Sequence, residues 1–257
     1  MPPLSPEARR VPEMFRHFHQ SGILGDLLRD ALLYHDPHKR DIVADMKEIF
    51  GGLKLNYTGL ENIPVRGGGL LVFNHPDVQV IAPAVFSLPA VFERAIGRRD
   101  IAVMMGAELP IWGHVYFPGS PWLINRIAGT YPDHFLLVPT SKLRLGYESG
   151  RTHARHEAVK RVLDSHLLAF APEGQIEKDG VILPVEKYRH RAGNIGQAVT
   201  LLRGPVIPMG IWQDEAEVIQ VSIGPEFAVD RHGRDGSIEM MAHIAAQLPG
   251  HLRGPFR

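Results

Sequence analysis

The chain has 257 residues, 44% hydrophobic and 22% charged, with Lys plus Arg and Asp plus Glu balanced at 28 each. That length and apolar content suffice for one sizeable core, and the zero net charge lacks the basic excess of a nucleic-acid binder. With no Cys, disulfides, thiolate metal sites and a cysteine nucleophile are excluded.

Residues 1–10 contain Pro and Arg, read as disordered, and hold no apolar run of signal-peptide length. From Val11 to about Phe50 the pattern is helical. Leu24, Leu27, Leu28, Ala31 and Leu32 recur at spacings of three and four, Asp36-Pro37 breaks the run, and Ile42, Val43, Met46, Ile49 and Phe50 form a second stripe ended by Gly51-Gly52. Phe15, Phe18, Ile23, Leu24, Leu27 and Leu28 beside Arg16, His17 and Arg29 suit either packing on the core or an interfacial helix. No stretch approaches ~20 uninterrupted apolar residues, so any membrane contact is expected at the surface.

At Leu53 the period changes to two, with Leu53, Leu55 and Tyr57 alternating with Lys54 and Asn56. Short apolar strands are predicted near 69–73, 101–105, 135–138, 167–171, 206–211 and 218–223, with helices near 80–96, 152–163, 194–202 and 237–247. This alternation predicts an α/β fold, a mostly parallel central sheet flanked by helices, with an N-terminal helical segment. The boundary is placed at Gly51-Gly52, giving a helical segment at 1–52 and an α/β domain at 53–257.

The segment most informative about chemistry runs Gly59-Leu60-Glu61-Asn62-Ile63-Pro64, Gly67-Gly68-Gly69, then Leu70 to Phe73 and Asn74-His75-Pro76. It reads as a turn, a buried strand, and a polar Asn-His at the strand's carboxyl end, where open α/β sheets place ligands. The triple glycine precedes a strand, so it is a turn and not a phosphate loop. A second buried run, Leu168 to Ala171, ends in Pro172-Glu173-Gly174, and a third block holds Lys187, Arg189, His190 and Arg191 before Gly193 and the strand 206–211. His35-Asp36-Pro37-His38 and the pair His153 and His156 lack zinc-site spacing, and no Gly-x-Ser-x-Gly elbow is present.

In this order and spacing, over roughly residues 53–225, the three blocks resemble the glycerolipid (lysophosphatidate) acyltransferase family. The resemblance implies an enzyme on the cytoplasmic face of a membrane that moves an acyl group from acyl-CoA or an acyl carrier protein to a lipid hydroxyl, with no cofactor. It implies His75 as the general base, and Asn74, Pro172, Glu173, Gly174, Lys187 and Arg189 as the substrate-binding set. Two positions depart from the family. The acid that orients the base comes five residues after the His, where this chain has Val80; the nearest acid is Asp77. On a helix Asp77 lies ~60° around from the family position and ~4.5 Å earlier, so it either partners His75 or caps the helix. After Glu173-Gly174 the family carries Thr-Arg, whereas here Gln175-Ile176-Glu177 follows, and Glu177 is expected to repel an anion. Arg126, Arg144 and Arg151 are candidates for a further basic position. The alternative reading is a lipid- or acyl-binding protein that kept this fold and lost catalysis.

Overall fold

A computed structural model describes residues 22, 23, 25, 26, 29, 39–107, 110–112, 115–116, 120–139, 147–174, 176–177, 179–188 and 192–257. The Leu24 to Leu32 stripe, the Asp36-Pro37 break and the aromatic residues Phe15 and Phe18 lie outside them.

Seven strands form one sheet: β1 (Leu55–Thr58), β2 (Gly69–Phe73), β3 (Ile101–Gly106), β6 (Phe135–Val138), β7 (Leu167–Phe170), β8 (Val206–Gln213) and β9 (Ile219–Ile223); β4 (Pro110–Trp112) and β5 (Val115–Tyr116) form a separate two-stranded ribbon. The order across the large sheet is β1-β9-β8-β2-β7-β3-β6. Strands β8, β2, β7, β3 and β6 run parallel; β9 turns back antiparallel to β8, and β1 pairs parallel to β9. The fold is therefore α/β with a mostly parallel sheet, as the alternation of elements predicts.

The apolar runs of β2 and β7 are buried along their whole length because helices cover both faces. On one face Leu70, Val72, Leu168 and Phe170 pack with Ala158 and Val162 of α5 (Tyr147–Leu163), Ile195 and Val199 of α6 (Ala192–Leu201), and Met240, Met241 and Ile244 of α7 (Gly233–Ala246). On the other, Leu71, Phe73, Ala169 and Ile207 pack with Val80, Ile81, Ala84 and Val85 of α2 (Val78–Phe86) and with Leu88 and Phe92 of α3 (Leu88–Ile96). The single helix predicted near 80–96 is thus two, parted at Ser87, where Pro89 follows at the second helical position. By length and composition the 19 residues Val78–Ile96 could cross a membrane, a run the sequence reading passed over; half of that stretch is buried against the sheet.

The helix α1 (Ile42–Phe50) buries Ile42, Met46, Ile49 and Phe50 against Tyr131 and Phe135. Arg40 donates to both carboxylate oxygens of Asp45 (2.7 and 2.9 Å), and the Tyr131 hydroxyl donates to the same carboxylate. The helix α4 (Ser120–Thr130), which the periodicity missed, precedes Tyr131. At the amino ends of the strands, Arg98 is almost wholly buried. It donates to the carbonyls of Pro64, Gly67 and Ser165 and pairs with Asp100, tying together the loops that enter β2, β3 and β7. A Cβ on Gly68 would lie 1.7 Å from the Val162 carbonyl, so this loop can approach α5 only without a side chain.

Candidate active site

Because β2 and β7 are adjacent and parallel, the residues that follow them emerge at the same end of the sheet. Asn74 is fully buried. Its amide accepts from the Ile211 N–H (2.8 Å) and donates to the Ile211 carbonyl (2.9 Å), so one side chain prolongs the pairing of β2 with β8 past the strand end. The same NH2 group donates to Glu177 Oε2 at 3.0 Å. His75 comes next and is held by its main chain: its N–H donates to Glu173 Oε2 (3.4 Å) and its carbonyl accepts from the Glu177 N–H (2.7 Å). The segment from Pro172 to Glu177 therefore wraps onto the Asn-His corner. Gly174 lies at its exposed bend with φ +61°, a left-handed conformation that glycine accepts without strain.

The imidazole of His75 is half-buried, with Nδ1 enclosed and, among the described residues, unpartnered; Nε2 is not enclosed. Burial lowers the pKa of the ring below the ordinary histidine value, so it is neutral at pH 7. Two carboxyls sit behind it. Glu173 and Glu177 are 1% and 5% exposed, figures that rule out a solvated loop. Glu173 also accepts from the Leu183 N–H at 3.1 Å. Burial raises the pKa of both acids, and the nearby charge of Glu173 raises Glu177 further. Two carboxyls this close and this dry retain a proton between them at neutral pH.

Glu177, expected from the sequence to repel an anion, is enclosed in the structure. It is buried and bonded to Asn74, and burial and the nearby charge of Glu173 raise its pKa, which weakens it as an anion. Its signal in the sequence was faint: a second Glu four residues after Glu173, in a loop where no periodicity marks burial. Asp77 is the N-cap of α2 and accepts from the Gln79 N–H at 3.1 Å; no hydrogen bond joins it to the imidazole. Val80, at the family's acid position, packs in the apolar cluster beneath the sheet. Pro172 is buried at the end of β7. Lys187 is exposed on the short 3-10 turn Val185–Lys187, next to Tyr188, which is buried and donates to the Leu183 carbonyl. Arg189, His190, Arg191, Gln175 and Arg144 lie outside the described residues. Arg126 stacks over Trp122, and His153 and His156 are exposed on α5. Among the described residues no group of acidic or His side chains has metal-binding geometry.

No family model matches the sequence, and no curated protein matches it. Among solved structures, the chain is similar to the 1-acyl-sn-glycerophosphate (LPA) acyltransferase PlsC from Thermotoga maritima, at 16% identity and a TM-score of 0.47, over 89% of this chain and 87% of that one.

Proposed function

We propose that this chain is an O-acyltransferase that moves an acyl group from a thioester, acyl-CoA or an acyl carrier protein, to the hydroxyl of a lipid acceptor at a membrane surface. The observation that carries the reading is the convergence of Asn74-His75 and Glu173-Gly174, a hundred residues apart, at one end of the sheet around a neutral imidazole. In this reading Nε2 of His75 takes the proton of the acceptor hydroxyl as its oxygen attacks the thioester carbonyl. The carbon–sulfur bond then breaks, and the thiolate leaves with a proton returned from the imidazolium. Pro172, Glu173 and Gly174 shape the acceptor side, with Lys187 and Arg189 as its cations.

The test is to incubate the purified protein with acyl-CoA, or acylated carrier protein, and vesicles carrying a panel of lipid alcohols. Free thiol and acylated lipid are followed together. Acceptor-dependent thiol release matched by one new ester supports the reading; no turnover on either donor across the panel refutes it. A second reading, a lipid- or acyl-binding protein, is favoured by one observation: Nδ1 of His75 has no acid bonded to it and Asp77 is engaged as a helix cap. Tight acyl-chain binding without turnover in the same assay would select it.

A further inference from the structure

Among the described residues, four of the six exposed large apolar side chains lie at the amino end of the sheet, away from His75. They are Val65, Leu163, Leu201 and Leu202, exposed by 63%, 59%, 77% and 48%. They stand on the segments that enter three adjacent strands: Val65 before β2, Leu163 before β7, and Leu201 and Leu202 before β8. These segments meet around Val162. A Cβ on Gly68 would strike the Val162 carbonyl, and one on Gly204 would lie 3.6 Å from the Val162 side chain. Arg98 fixes the loops of Val65 and Leu163 through the carbonyls of Pro64, Gly67 and Ser165. The patch is thus held rigid, and its apolar area, on the order of 400 Å², has the size of functional patches on monomers.

The rim carries both signs. Arg66, Lys160 and Arg203 are exposed there, as are Asp164 and Glu226, and none of the five is ion-paired among the described residues. Glu226 and Arg203 line one shallow hollow beside Pro205. An anionic bilayer suits three of these charges and opposes two. A second copy of the chain suits all five, because a two-fold interface sets the patch against itself and offers the cations of each copy the acids of the other. An interface of standard size buries about 800 Å² per partner, a little over half of it apolar, and the four side chains supply most of that share. Orientation decides the same way. Strand β2 has five residues, ~17 Å, so a bilayer at this end would hold His75 about that far from the lipid. A dimer leaves both catalytic ends free.

We propose that the amino end of the sheet is a two-fold dimer interface, centred on Val65, Leu163, Leu201 and Leu202. The argument from orientation rests on the acyltransferase reading; the patch and its charges do not. The test is sedimentation equilibrium of the full chain from ~1 to ~100 μM, beside Leu163→Gln/Leu201→Gln. Both leucines are exposed and Gln is a good helix former, so the variant should keep the wild-type circular dichroism. The wild type is expected at twice the 28.6 kDa chain mass, and the variant should dissociate at least ~30-fold more readily. A wild type that stays monomeric throughout overturns the proposal, and so does a dimer that the double substitution leaves unchanged. A monomer whose binding to anionic phosphatidylglycerol vesicles is lost in the variant assigns the patch to lipid, which also overturns it. Acyl transfer is followed on the same samples. A dimer sensitive to the substitution but without turnover leaves this interface standing while the transferase reading falls; turnover by a wild-type monomer does the reverse.

Discussion

The buried pair Glu173 and Glu177 makes a stability prediction that needs no substrate. A carboxyl whose pKa is raised on folding contributes stability that is full below its unfolded value, about 4.3 for Glu, and is lost as pH rises through the folded value. Over the window in which the folded pair keeps one proton that the unfolded chain has released, stability falls by about 1.4 kcal/mol per pH unit. His75, His134 and His243 have the opposite sign. Burial lowers their pKa values, so they add a rising slope, but only up to about pH 6.5. Between pH 7 and 8 the carboxyl effect is left largely alone. With a urea m-value of about 3 kcal/mol per molar, the wild-type midpoint should fall by about 0.5 M across that unit. Glu177→Gln removes one member of the pair and its repulsion with Glu173, and should cut the fall to less than half. Urea unfolding by circular dichroism at half-unit pH steps measures it. Equal slopes in the two proteins would show that the pair holds no extra proton, and the account of a dry, coupled site would be wrong.

Other substitutions probe how the site is held. Arg98→Met strands the carbonyls of Pro64, Gly67 and Ser165 and leaves Asp100 alone; it should cost about 3–5 kcal/mol in urea unfolding, and a loss under ~1 kcal/mol would contradict the clasp. Asn74→Ala leaves the Ile211 N–H and carbonyl unpaired and should cost about 2–4 kcal/mol, with faster amide exchange at Ile211 as the local readout. Tyr131→Phe removes a hydrogen bond to the Asp45 carboxylate and should cost about 1.5–3 kcal/mol, with α1 losing exchange protection before the sheet does.

The sheet was legible because its strands are short apolar runs bounded by turns. The predicted spans 69–73 and 135–138 coincide with β2 and β6, and the others differ by a residue or two at their ends. Strand direction was less so: the reversal of β9 against β8 rests on the turn from Asp214 to Glu217, whose mostly acidic residues fit any connection. The helix α4 escaped because Pro121 and Gly129 interrupt its pattern. At the site, Asn74, His75 and Glu173 were marked by polar residues at the ends of apolar strands. Glu177, Arg98 and Tyr188 were not, because each is buried by residues far away in sequence, and an acidic or basic letter reads as solvated until its neighbours are known.

The central claim is that the His75 imidazole removes a proton from an acceptor hydroxyl. Its most direct test compares acceptor-dependent thiol release by the wild type and by His75→Ala, matched for fold and urea midpoint. The account predicts a loss of ~10²–10⁴-fold in rate with thioester binding retained. Equal rates in the two proteins would contradict it.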